Sequence, residues 1–223
     1  MMIRAYPETC LEHVKSMLGD AFDYAVNSCR IDGMTFSGMF LVSTFSRRIE
    51  KGDPACLGMS GIELAQSIIL ETSDRKEFPA PEENYSRNAE YWIGWALAWY
   101  QWYSDRSFQD IFEAVSYSDL MNMYHPLHEA DLSKFAEVMN EKLRERFRET
   151  RLKEHRSNCR LTQEKLSERS GVSIRSIQMY EQRNKNINKA AAETLYRLAK
   201  VLGCSMESLL EKPLQPHDGA RRL

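Results

Sequence analysis

All four tryptophans of the chain fall within thirteen residues, YWIGWALAWYQWY, from Tyr91 to Tyr103. They stand at 92, 95, 99 and 102, spacings of 3, 4 and 3. At about 100° per residue these positions share roughly an 80° arc of one helix face. A strand would instead throw neighbouring side chains to opposite faces. The segment is too short to cross a bilayer, which takes about 20 apolar residues. Arg87, Glu90, Asp105 and Arg106 block its extension at both ends. A platform for stacking bases would set such rings among Lys and Arg, whereas the charge here is mixed. The stretch therefore reads as the central helix of a buried core. A second reading keeps Trp92, Trp95, Trp99 and Trp102 as the lining of a pocket or a protein interface, where such rings are enriched.

The rest of the chain is written in the same helical period, and no stretch alternates cleanly enough for a confident strand. Helices are expected over about Glu8–Cys29, Phe36–Glu50, Ser60–Glu71 and Phe108–Val115. A charged helix from Asp131 is expected to run towards Asn158. The proline-bearing SDRKEFPAPEENYS is the longest polar loop, and the chain's last stretch, KPLQPHDGARRL from Lys212, looks disordered, with the tail expected over residues 213–223. Charge divides the chain. Residues 1–140 hold 11 Lys and Arg against 21 Asp and Glu, a net of −10. Residues 141–223 hold 19 against 11, a net of +8. An acidic helical domain over 1–140 and a basic one over 141–212 are expected to meet different partners, and nucleic acid belongs with the basic one. Cys10, Cys29, Cys56, Cys159 and Cys204 are odd in number and never spaced C-x-x-C. That disfavours a disulfide framework or a zinc site and fits a reducing cytoplasm. The first residues hold no apolar run of signal-peptide length, so no export and no membrane are expected.

The basic end carries the sharpest motif, LTQEKLSERSGVSIRSIQMYEQ, Leu161–Gln182. Thr162 is a good N-cap, Leu166 an apolar anchor, and Gly171 can take the left-handed turn that stops a helix. Val172 then points inward, Ser173 caps a second helix, and Ile177 and Tyr180 are its candidate buried residues. This is helix, tight turn, helix. With LKEHR before it and AAETLYRLAKVLGCSMESLL after it, the segment resembles the lambda-repressor-like (Cro/CI-type) helix-turn-helix family over about Phe147–Glu211. The resemblance implies an all-α chain that ends in a five-helix domain reading double-stranded DNA. The helix from Ser173 would enter the major groove, with Ile174, Arg175, Gln178 and Met179 at or beside base-contacting positions. Arg175 can bind guanine through two hydrogen bonds. Gln163 matches a phosphate contact, and Arg156 and Glu181 match a structural ion pair. The family often has glycine where this chain has Arg183. That arginine and Lys185 are placed to meet phosphates.

The reading that follows is a bacterial cytoplasmic transcriptional regulator, a repressor and a homodimer, with a partner- or ligand-binding N-terminal domain and no enzymatic chemistry or cofactor. One alternative is an antitoxin that represses its own operon and neutralises a basic toxin through residues 1–140. Another is a small-molecule enzyme or sensor fused to a DNA reader. Leu132, Phe135, Met139, Leu143 and Phe147 form an apolar seam that suits either a dimer or the chain's own core. HPLHEAD offers His125, His128, Glu129 and Asp131, but proline interrupts it and no third His or Cys stands near, so no metal is expected. GMSGIEL lacks both the second glycine of a nucleophile elbow and the lysine of a phosphate loop. Ser60 and Glu63 explain it as a capping box.

Overall fold

The computed structural model describes residues 5–82 and 87–211, and these are helical, with no strand among the described residues. They divide into two compact units, one within Met1–Leu143 and the other within Arg144–Leu214. The tail over 213–223 lies outside the described residues.

The first unit is built on two helices, α1 (Glu8–Asp23) and α6 (Ala89–Ser104), which make its most extensive contact. Between them in sequence come α2 (Gly33–Val42), α3 (Thr44–Glu50), α4 (Pro54–Leu57) and α5 (Gly61–Thr72). After them come α7 (Phe108–Ala114), α8 (Tyr117–Leu127) and α9 (Leu132–Arg146). The close approach of α1 and α6 depends on absent side chains. A Cβ on Gly94 of α6 would stand 2.2 Å from the Leu18 carbonyl oxygen, and one on Gly19 of α1 would stand 2.9 Å from the Tyr91 carbonyl oxygen. Backbone can come this near only at glycine. Ile93, Ala96, Leu97, Ala98 and Tyr100 are fully buried.

This corrects the expected orientation of the aromatic helix. The element is central, but the tryptophan stripe is not its deepest face. Trp92 is 8% exposed, while Trp95, Trp99 and Trp102 are only half-buried. The reason is steric: packing against α1 needs Gly94 and its small neighbours, so the bulky indoles turn to where there is room. Trp92 meets Tyr124 and Phe135 edge-on, with ring centroids 5.8 and 5.4 Å away. The Lys15 ammonium lies 4.3 Å over the Trp95 ring, and Trp99 stacks on Tyr103 at 4.9 Å. The Trp102 indole N–H donates to the Tyr6 carbonyl at 3.0 Å.

Other boundaries also moved for local reasons. The expected first helix ends in a single π turn, Tyr24–Ser28. The segment expected as one helix over Phe36–Glu50 breaks at Ser43, whose extended backbone lets its hydroxyl accept from the Phe45 N–H and start α3. The helix expected from Asp131 stops at Arg146, because Thr150 caps a new one, α10 (Arg151–Asn158), through the Lys153 N–H. Helix α8 was not expected. Ser116 and Asp119 begin it with a capping box, and Pro126 is tolerated in its last turn. The apolar seam of α9 is spent on the chain's own core: Phe135, Met139 and Leu143 are buried, and Asn140 accepts from the Tyr100 hydroxyl at 2.8 Å.

The second unit follows α10 with α11 (Gln163–Ser170), α12 (Ile174–Glu181) and α13 (Ala192–Leu202). The fifth helix expected from the resemblance is one 3-10 turn, Glu207–Leu209. A single apolar cluster holds the unit, centred on Leu152, Leu166, Ile177, Leu198 and Leu209.

Candidate nucleic-acid interface

The geometry of α11 and α12 follows from caps and one glycine. The Thr162 hydroxyl oxygen accepts from the Lys165 N–H at 3.2 Å. Gly171 ends α11 at φ +67°, a conformation that costs a side-chain-bearing residue more. The Ser167 hydroxyl then donates to the Val172 carbonyl at 2.7 Å and closes the turn. Ser173 starts α12 by accepting from the Ser176 N–H.

Helix α12 is anchored from beneath. Ile177 and Tyr180 are buried, so the 3.6-residue period turns Arg175, Gln178 and Met179 away from the core, with Ile174 at its edge one turn before Ile177. Arg175 is exposed, and Ile174, Gln178 and Met179 are half-buried. Arg175, Lys165, Arg169 and Lys189 take part in no ion pair among the described residues. Their charge is available to phosphates or bases.

Arg156 and Glu181 tie α10 to the end of α12. The Arg156 Nε and Nη2 donate to the two Glu181 carboxylate oxygens at 2.7 and 3.0 Å, and Nη1 donates to the Leu161 carbonyl at 2.7 Å. Side-chain exposure is 13% for Arg156 and 3% for Glu181. The hydrogen bonds to Glu181 hold the guanidinium above its ordinary pKa. Gln163 joins this cluster. Its side-chain amide donates to Glu181 at 2.8 Å, so in this structure it serves the ion pair rather than standing free.

Arg183 also differs from its expected use. Its backbone sits at φ +57°, the left-handed region, which explains why glycine suits this position. Its guanidinium donates to the carbonyls of Phe147, Arg148 and Glu149 at 3.0, 2.8 and 3.3 Å. It also reaches Glu211 at 3.5 Å. The side chain is thus engaged with the chain just ahead of α10. Lys185 lies over the Tyr180 ring at 5.2 Å with an exposed ammonium. Glu211 was missed by sequence reasoning. It accepts from the Arg151 N–H at 2.7 Å, and Asn188 accepts from the Glu211 N–H at 2.8 Å. Partners so far apart in sequence leave no local signal.

The first unit carries a cavity of 310 Å³ whose lining includes Asp20, Asp23 and Glu82 with the hydroxyls of Tyr24, Ser28 and Ser60. No tryptophan contributes to it. Burial and the neighbouring Asp23 raise the Asp20 pKa. At HPLHEAD the His128 Nδ1 lies 2.9 Å from the Tyr124 carbonyl oxygen, and no cluster able to hold a metal occurs among the described residues. Nor is any described helix long and apolar enough to cross a membrane.

A helix-turn-helix family model matches residues 152–209. Comparison with curated proteins and with solved structures finds no match to the chain. The matched span runs from the first buried leucine of α10 to the buried leucine of the final 3-10 turn, and takes in both caps and Gly171. Residues 152–209 are therefore a helix-turn-helix domain of the lambda-repressor-like kind.

Proposed function

We propose that the chain is a sequence-specific transcriptional repressor whose C-terminal unit reads duplex DNA as a pair of copies and whose acidic N-terminal unit takes a partner or ligand. The observation that carries this reading is the exposed face of α12. Arg175 stands there without an ion-pair partner among the described residues, on a helix fixed by Ile177 and Tyr180. Ile174 and Met179 beside it suit thymine methyl groups, and Gln178 suits adenine. In this reading the protein does no chemistry; occupancy of a promoter excludes polymerase. Selection from a random duplex library should yield a two-fold symmetric site. Arg175→Ala should then weaken binding by about 1–3 kcal/mol and relax one base position. Equal loss on selected and scrambled duplexes would remove the readout role.

A second reading, an antitoxin that represses its own operon, is favoured by the −10 balance of residues 1–140 and by the carboxylates around the 310 Å³ cavity. A basic protein would find complementary charge there. Native mass spectrometry of protein from its own host separates the two. A stoichiometric protein partner supports the antitoxin. A small molecule, or two copies alone, supports the regulator with a ligand-binding unit.

A further inference from the structure

Two of the five cysteines meet within the helix-turn-helix domain. Cys159 follows α10 as its C-cap and is exposed. Its thiol donates to the Leu202 carbonyl at 3.4 Å, a helix-end oxygen of α13. Cys204 lies two residues past Leu202. Between them Gly203 sits at φ +66°, and the Cys204 N–H turns back to the Ala199 carbonyl at 3.1 Å. Consecutive Cα atoms are about 3.8 Å apart, so the Cys204 Cα lies at most about 7.6 Å from the Cα of Leu202, the residue whose carbonyl Cys159 touches, and the left-handed turn at Gly203 shortens that span. A disulfide asks for Cα atoms roughly 4.4–6.8 Å apart. The two sulfurs also sense each other: burial raises the Cys204 thiol pKa first, and negative charge at Cys159 raises it further.

We propose that Cys159 and Cys204 are an oxidation site, a thiol pair that a hydroperoxide converts to a disulfide joining the α10–α11 corner to the end of α13. The exposed Cys159 is the attacking sulfur. Its thiolate displaces hydroxide from hydrogen peroxide: the S–O bond forms, the O–O bond breaks, and the hydroxide takes a proton to leave as water. The Cys204 sulfur then attacks the sulfenic acid. The S–S bond forms, the S–O bond breaks, and the departing hydroxide takes the Cys204 proton as a second water. Two thiols lose two electrons in total, and one peroxide gains them. The closed loop contains the whole of α11 and α12, so the bridge is a covalent lock on the DNA-reading elements. Cys10, Cys29 and Cys56 lie in the other compact unit and take no part.

The full-length protein is treated with hydrogen peroxide, denatured, alkylated and mapped without reduction. The expected result is a linked pair of peptides holding Cys159 and Cys204 within one chain, undone by dithiothreitol. Two alkylation sites per chain are lost, and the melting transition of the C-terminal unit rises. Cys159→Ser keeps a hydroxyl donor for Leu202, so it should fold and melt like the reduced parent yet form no link. Cys204→Ser should leave Cys159 oxidised but unbridged. The inference is overturned by any of four results: full alkylation of both cysteines after peroxide, sulfinic acid at Cys159 of the parent without a link, a Cys159–Cys159 link between chains, or a bridged protein that melts no higher than the reduced one.

Discussion

Arg156 and Glu181 allow a stability experiment whose magnitude follows from the structure. The Glu181 carboxylate is 3% exposed and accepts from Arg156 twice and from Gln163 once. Arg156→Met removes both charge-assisted bonds and the donor to the Leu161 carbonyl, leaving a buried carboxylate with one amide partner. Breaking a buried pair in this way costs about 3–5 kcal/mol, because one uncompensated charge stays inside. A domain of this size holds about 4–10 kcal/mol in all. The single change should therefore lower its melting temperature by at least about 12 °C. Glu181→Met should cost less, since Arg156 is nearer the surface and can turn its charge to water. The double variant buries no ion and fills similar volume, so it should lie within about 1–2 kcal/mol of the parent. Every tryptophan lies in the first unit, so tryptophan fluorescence follows that unit, while far-ultraviolet dichroism follows both. The second unit's transition is the one seen by dichroism but not by fluorescence. Singles that melt with the parent, or a double whose loss equals the sum of its singles, would refute the account of the buried pair.

Three further outcomes follow from the same contacts. Gly94→Ala sets a methyl against the Leu18 carbonyl, where 2.2 Å is available, and should destabilise the first unit by about 1–3 kcal/mol or more, read as an earlier fluorescence midpoint in urea. Arg183→Gly frees the left-handed backbone but releases the carbonyls of Phe147, Arg148 and Glu149. Amide exchange should rise at residues 149–151 with the salt dependence of DNA binding unchanged, whereas a slope smaller by about one would mean that Arg183 binds phosphate after all. Hydrogen bonds from Ser116, then the Lys142 ammonium, hold Asp119 below the ordinary carboxylate range. A depressed folded pKa gives stability that is present above the unfolded value near 4 and is lost as pH falls through the folded one. Asp119→Ala should flatten that acid limb in the first unit's melting curve, and an unchanged limb would assign it to other carboxylates.

What was legible in the sequence was local. Thr162, Gly171 and Ser173 declare a helix, a left-handed stop and a second helix within a dozen residues, because each acts on its own backbone or on groups three or four positions away. The capping box of Ser60 and Glu63 was legible for the same reason. What was hidden depends on distant partners. Periodicity placed the tryptophans on one face but could not tell which face would meet α1. That was decided by Gly94 pressing on the Leu18 backbone, more than seventy residues earlier in the chain. The seam of α9 was equally ambiguous until Phe135 and Asn140 found partners on α6.

Arg183 shows how this limit reaches the candidate site itself. An arginine after a reading helix in a basic domain invites a phosphate contact on charge alone. Its side chain instead bonds carbonyls of residues 147–149, thirty-four to thirty-six positions away, at a backbone angle that glycine would take freely. A left-handed arginine costs about 1–2 kcal/mol. That cost is offset by hydrogen bonds from a charged donor, about 1.5–3 kcal/mol each when well formed. The departure from glycine therefore trades backbone ease for a fixed approach to Thr150 and α10. Arg175, Lys165, Arg169 and Lys189 have no such partners among the described residues, and in the proposed reading these are the cations that meet DNA.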